Sequence, residues 1–306
     1  MKIIFGPVLI FCYNRPNKLK NLINSIQNNF DYSKYKYYFF CDGPKNAIDR
    51  TKIKKNLEVI KNFKVKNKII IKKKKNYGLA KSIISGVSSV LKMNKFCIIL
   101  EDDLVLEKNC LKFLNFGLNR FYKDKSIGSI SGYSYVHNAN IRKSVKWFKL
   151  HRHCSWSWGT WRRVWKKIDW DTKHLSKDYI SKMYKQKIFF RAGNDIIPML
   201  LAQKINVINS WAVRFNYNCL KKNLFSISPR FSLVKNDGFD MSSTHTLNFF
   251  KKESITFKKK KFQNFQNFNN PKLDRQLNNL IKHKHPNLKR LRVKIFTKKI
   301  FNKLFF

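Results

Sequence analysis

Three adjacent carboxylates, Glu101-Asp102-Asp103, close the apolar run Phe96-Cys97-Ile98-Ile99-Leu100. The chain carries 17 acidic residues against 65 basic ones, so three acids in a row are not ordinary surface composition. Neighbouring carboxylates repel unless a cation joins them. Hard divalent cations such as Mg²⁺ or Mn²⁺ take oxygen ligands and bridge readily to phosphates. The chemistry on offer is therefore metal-assisted handling of a phosphorylated ligand. A plainer reading is an acidic N-cap for a helix beginning near Leu106.

The elements around this motif must put it somewhere useful. The run before it is short, apolar and partly β-branched, as a buried strand would be. Val8 to Tyr13, Tyr37 to Cys41 and Lys68 to Ile71 read the same way. Between them lie helical spacings: Leu19, Leu22, Ile23 and Ile26; then Ile53, Leu57 and Ile60; then Leu79 to Leu91, followed by Cys110 to Phe121. Strands alternating with helices argue for a mostly parallel sheet with helices on both faces. In such a sheet ligands bind outside the carboxyl ends of the strands, where Glu101-Asp102-Asp103 would lie.

From about Ser126 the pattern changes to short strands and Trp-rich segments. Trp158, Trp161 and Trp165 follow helical spacing, which makes core packing the default for at least two of them. The expected organisation is 1-125 as a ligand-binding half, 126-250 as a second, catalytic half of the same domain, and 251-306 as a basic tail. That tail holds 17 Lys and Arg against two acids, with Phe interleaved. Leu288 to Phe306 places apolar residues on one helical face and basic ones on the other. It can lie on an anionic membrane or remain a solvated tail.

Composition excludes a disordered chain, with 43% hydrophobic and 15% aromatic residues. The formal net charge of +48 raises nucleic-acid binding as an alternative. Its Lys and Asn are scattered rather than gathered in a stripe, which weakens that reading. A metal-dependent nucleotidyltransferase or phosphodiesterase is a further alternative, although two-metal chemistry wants separated acids and only one cluster plus Asp42 is present. The six cysteines form no C-x-x-C pair and read as buried thiols of a reducing compartment. No run reaches transmembrane length, so the expected location is cytoplasmic, peripheral to the membrane if the tail binds lipid.

Four motifs in order, Tyr13-Asn14-Arg15-Pro16, Cys41-Asp42-Gly43, Asn76-Tyr77-Gly78-Leu79-Ala80-Lys81 and Glu101-Asp102-Asp103-Leu104, make the chain resemble the GT-A-fold glycosyltransferases. The likeness is greatest to the N-acetylglucosaminyltransferase I type and its bacterial relatives, with a weaker one to family-2 glycosyltransferases. It spans roughly residues 5 to 246. It implies a Rossmann-like α/β fold and inverting transfer from a nucleotide-diphosphate sugar to a glycan or lipid-linked saccharide, in surface polysaccharide biosynthesis.

The resemblance also implies roles for single residues. Asn14 and Arg15 would contact the nucleotide, and Asp42 the base or ribose unless it only forms an Asx turn. Gly78 and Lys81 would face the diphosphate at a helix N-terminus. Asp103 would ligate Mn²⁺ or Mg²⁺, Asp102 would support ribose or metal, and Glu101 would reach the donor sugar. Asp195 would be the base, its other reading being a first-turn acid on the helix dipole. Ile196 follows it where bacterial relatives carry an aromatic residue. Ser232 to Phe239 and Ser243 to Thr246 resemble a closing loop whose His245 would cap the metal or the diphosphate. Trp156 and Trp158, with Gly159, would line the donor sugar or else pack in the core.

Overall fold

The computed structural model describes residues 3–135, 146–172, 174–176, 179 and 191–238. The tail from 251, the 243–246 segment and His245 lie outside the described residues.

The chain alternates as its hydrophobic pattern predicts. Strand β1 (Val8–Cys12) leads to helix α1 (Pro16–Gln27), and β2 (Tyr37–Cys41) to α2 (Ala47–Asn62). β3 (Lys68–Lys72) leads to α3 (Leu79–Met93), and β4 (Phe96–Glu101) then enters the carboxylate motif. All five residues of β1 and the first five of β4 are buried, because both strands lie inside the sheet and are covered on both faces. β3 begins and ends with lysine and is only half-covered, as an edge strand should be. Helix α1 starts with Pro16 in its first turn and buries Leu19, Leu22, Ile23 and Ile26 along one stripe.

After β4 comes a short strand, β5 (Leu104–Leu106), where the plainer reading placed a helix start; helix α4 (Cys110–Arg120) begins four residues later. The reason lies far along the chain. β10 (Val234–Asn236) pairs antiparallel with β5, Asn236 opposite Leu104, and takes up its backbone groups. The remaining elements are β6 (Ile127–Ser131), β7 (Trp147–Leu150), β8 (Trp158–Trp161), α5 (Arg162–Trp165), α6 (Ile196–Lys204), α7 (Trp211–Lys221) and β9 (Phe225–Pro229).

The main sheet runs β3-β2-β1-β4-β8-β6-β9-β7. The first four strands are parallel to one another, as are β6 and β9. β8 runs antiparallel to both of its neighbours, and β7 antiparallel to β9. The sheet is thus mostly parallel and flanked by helices, as expected. One apolar core extends from Val8 to Val234 and includes residues from both expected halves.

The expected core packing of Trp158, Trp161 and Trp165 holds, since all three are buried, but their helical spacing misleads. Trp158 and Trp161 are on strand β8, and only Trp165 is helical. β8 is bonded to β4 on one side and β6 on the other, so sheet pairing overrides a period that could have served a helix. Successive strand residues point to opposite faces. Trp158 stacks on Trp211 with ring centroids 4.9 Å apart, while the Trp161 indole donates to the Leu118 carbonyl of α4 at 3.0 Å. All six cysteines are buried free thiols. Among the described residues no helix is long and apolar enough to cross a membrane.

Candidate functional site

From β1 the chain passes through α1 to β2 on one side, and β4 lies on the other side of β1. The strand order therefore reverses between β1 and β4, which opens a crevice at their carboxyl ends. Phe11 pairs with Glu101 at that edge. Tyr13-Asn14-Arg15 leaves one strand and Asp102-Asp103 the other, so the two motifs face each other.

They meet in an ion pair. Arg15 Nη1 lies 3.0 Å from Asp103 Oδ2, and Nη2 hydrogen-bonds Asp102 Oδ1. Asp102 is buried, and its Oδ2 accepts the Tyr13 N–H at 3.3 Å. Burial pushes the Asp102 carboxyl above its ordinary range, against the opposing pull of Arg15. Burial, then the Asp103 charge, pushes Glu101 up as well. Two carboxylates, Asp102 and Asp103, share one guanidinium, which leaves the pair short of positive charge.

Asp103 itself is held by the returning chain. The Asp237 N–H donates to its carbonyl at 2.8 Å, and a Cβ on Gly238 would sit 2.3 Å from Asp103 Oδ2. Only a residue without a side chain fits there. Asp103 Oδ1 is buried and has no hydrogen-bond partner among the described residues. The 232–239 segment expected to close over the site is thus brought against it as far as Gly238, by the pairing of β10 with β5.

Asp42 follows β2 and acts on the backbone. Its Oδ1 accepts the N–H of Gly43 at 3.0 Å and of Tyr77 at 2.9 Å, and its Oδ2 accepts that of Gly78 at 2.9 Å. This clamp shapes the turn before α3, where Gly78 is the N-cap residue at φ +77°. An Asx turn alone would reach only the next few residues. Lys81, in the first turn of α3, is exposed and sits over the Tyr77 ring at 4.7 Å.

Asn14 turns toward α2 and donates from Nδ2 to Asp49 Oδ1 at 2.7 Å. Asp49 also accepts the Tyr13 hydroxyl and, at 3.1 Å, the Lys45 N–H. Sequence reasoning missed Asp49, although a signal was there. Asn46 caps α2 by accepting the Asp49 N–H at 2.9 Å, an Asn-x-x-acid start of the capping-box kind.

Asp195 is the N-cap residue of α6 and is buried. Arg152, which follows β7, grips both of its oxygens, at 2.7 and 3.0 Å, and also donates to the Ala192 carbonyl at 3.0 Å. Arg152 was not singled out from the sequence. As one arginine in a basic chain it gives no local signal.

Trp158 is corrected as a sugar-stacking residue, and its core-packing alternative holds. Trp158 is 1% exposed and covered by Trp211, Trp165 and Phe215, which leaves no face for a pyranose. A Cβ on Gly159 would lie 2.7 Å from Leu118 and 3.0 Å from the Cys97 carbonyl, so that glycine serves close sheet-to-helix packing. Trp156 is half-buried and packs edge-on against Tyr133.

Among the described residues no group of three or more His, Cys, Asp and Glu side chains is preassembled around a cation. The donor set at the crevice nevertheless fits a hard cation: oxygen ligands, excess negative charge and one orphaned buried carboxylate oxygen on Asp103.

No curated protein matches the chain. Among solved structures, a mannosyltransferase from Pyrobaculum calidifontis in complex with GDP-Man and Mn²⁺ is 11% identical. It matches over 72% of this chain and 69% of that one, with a TM-score of 0.41. TarS 1-349 from S. aureus in complex with UDP is 13% identical over 72% of this chain and 70% of that one, also at 0.41. The family model described as glycosyl transferase family 2 matches residues 8–189. That is more than half of the chain, and the protein belongs to this family and is a glycosyltransferase of the GT-A fold.

Proposed function

We propose that this glycosyltransferase moves a hexose or N-acetylhexosamine from a nucleotide-diphosphate sugar to a glycan or lipid-linked acceptor, with inversion and with a divalent cation. The observation that carries the reading is the carboxylate strand end at the crevice between β1 and β4, with Asp103 Oδ1 buried and unsatisfied. Asp103 and Asp102 would hold the cation, joined by His245 from outside the described residues. When bound, Mn²⁺ or Mg²⁺ supplies charge neutralisation for the departing diphosphate.

The chain's own groups do the rest. Lys81 offers positive charge and the N-terminus of α3 its dipole to the phosphates, while Asp42 shapes the turn by taking the Tyr77 and Gly78 N–H groups. Asn14 and Tyr13 border the nucleotide side of the crevice, and Glu101 reaches toward the donor sugar. Asp195 takes the proton of the attacking acceptor hydroxyl. The new bond forms between that oxygen and the anomeric carbon, and the bond to the diphosphate breaks on the opposite side, its electron pair leaving with the nucleotide. Arg152 holds both Asp195 oxygens, which fixes the orientation of the carboxylate. The setting we propose is surface polysaccharide biosynthesis at the inner membrane face, with residues 251–306 as the contact to anionic lipid.

The test is a thermal-shift screen of nucleotide sugars with Mn²⁺, Mg²⁺ or EDTA on wild type and Asp103→Ala, followed by NMR of the product's anomeric configuration. Ligands that bind only the native state raise its melting temperature by mass action. A shift for one donor that EDTA and Asp103→Ala both remove, with an inverted product, supports the reading. A shift with oligonucleotides alone, or a retained configuration, refutes it.

A further inference from the structure

Arg15 does two things that oppose each other. It stands at the carboxyl end of β1, where a guanidinium can pair bidentately with a diphosphate. In this structure the same guanidinium bridges Asp102 and Asp103, the two residues the proposed function assigns to the cation. A protein cation and a metal ion cannot share those oxygens without repelling each other. Arg15 is not sealed in. Its side chain is 22% exposed and that of Asp103 13%, whereas Asp102 is nearly enclosed at 3%. The Asp103 end of the bridge is therefore the less enclosed one, and its other oxygen, Oδ1, is buried and unsatisfied among the described residues.

We infer that Arg15 is an internal counter-ion that competes with the divalent cation for Asp102 and Asp103 and is drawn off them by the donor's diphosphate. This inference rests on the metal-dependent reading above. It makes cation and diphosphate binding cooperative through one side chain. With no diphosphate the guanidinium screens the carboxylates and the cation binds weakly. When a diphosphate arrives it offers Arg15 another anion, and the carboxylates become available. By linkage, the cation then strengthens diphosphate binding by the same factor. The neighbouring contacts fit a fixed pocket with one moving part. The Tyr13 N–H holds the Asp102 carboxylate and the Asp237 N–H holds the Asp103 backbone, so both residues stay anchored when Arg15 departs.

The experiment measures Mn²⁺ binding itself, by electron paramagnetic resonance of free Mn²⁺, with no nucleotide present. Wild type, Arg15→Gln, Arg15→Lys and Asp103→Ala are compared, with inorganic pyrophosphate as the minimal diphosphate in a second titration. Arg15→Gln is expected to bind Mn²⁺ at least about fivefold tighter than wild type, the low end of ordinary coupling factors, and pyrophosphate more weakly. Arg15→Lys, which keeps the charge but cannot bridge both carboxylates, should fall between. It carries the comparison alone if Arg15→Gln does not fold without metal. Equal Mn²⁺ affinity in wild type and the Arg15 variants overturns the counter-ion role and leaves the metal reading standing. The absence of saturable Mn²⁺ binding in all four proteins, with or without pyrophosphate, overturns the metal reading as well.

Discussion

The substitution Asp42→Asn separates a nucleotide contact from a backbone clamp, because it keeps the shape and removes the charge. In the native turn Oδ1 accepts two N–H groups, from Gly43 and Tyr77, and Oδ2 accepts one from Gly78, all at 2.9–3.0 Å. An amide has one oxygen. Its better orientation keeps the oxygen on Gly43 and Tyr77 and turns the NH₂ toward the Gly78 N–H, donor against donor. One N–H at this partly buried turn then goes unpaired, at a cost of about 1–3 kcal/mol, and the two remaining bonds each weaken by roughly 1 kcal/mol on losing the charge. The total is about 3–5 kcal/mol.

For a domain of this size each kcal/mol lowers the melting temperature by about 2–4 °C. The expected fall is thus on the order of 10 °C. Amide exchange should rise at Tyr77, Gly78 and the first turn of α3, and much less in the sheet. A melting temperature within about 2 °C of wild type, with unchanged protection at Tyr77 and Gly78, would refute the clamp and return Asp42 to the base or ribose.

Two further substitutions test the site's surroundings. Trp158→Ala should destabilise by about 3–5 kcal/mol, as large buried aromatics do, because its indole fills the space between Trp211, Trp165 and Phe215. If it instead raises KM for the donor with stability unchanged, the core assignment is wrong. His153 gives a pH dependence. It is buried, hydrogen-bonded to Ser129, and burial pushes it down to about 3, with the neighbouring His151 also lowered. An unfolded chain binds this proton near its ordinary value and the native one does not, so stability is lost as the pH falls below about 6.5. The His153 share alone is about 1.4 kcal/mol between pH 7.5 and 5.5. Urea unfolding at both values, on wild type and His153→Asn, checks it; an equal drop in the two proteins would remove His153 as the cause.

The strand–helix alternation of the first 120 residues, the buried strand before Glu101-Asp102-Asp103 and the helical stripe of α1 could all be read from the chain. Each is a short-range pattern of apolar residues whose period fixes the element and its buried face. The carboxylate motif was legible for the same reason, since it needs only to end a buried strand. What the carboxylates do was not legible. Arg15 reaches Asp102 across 87 residues, Asp42 reaches Tyr77 across 35, and Arg152 reaches Asp195 across 43. Trp158 fits either a helix or a strand until β4 and β6 close on β8 from both sides. β5 becomes a strand because β10 returns to pair with it from far along the chain, Val234 opposite Leu106 and Asn236 opposite Leu104. Those outcomes depend on sheet order and register. Pairing is long-range and non-additive, so composition and spacing name the candidate charges, while only the packed tertiary structure decides which charge each of them meets.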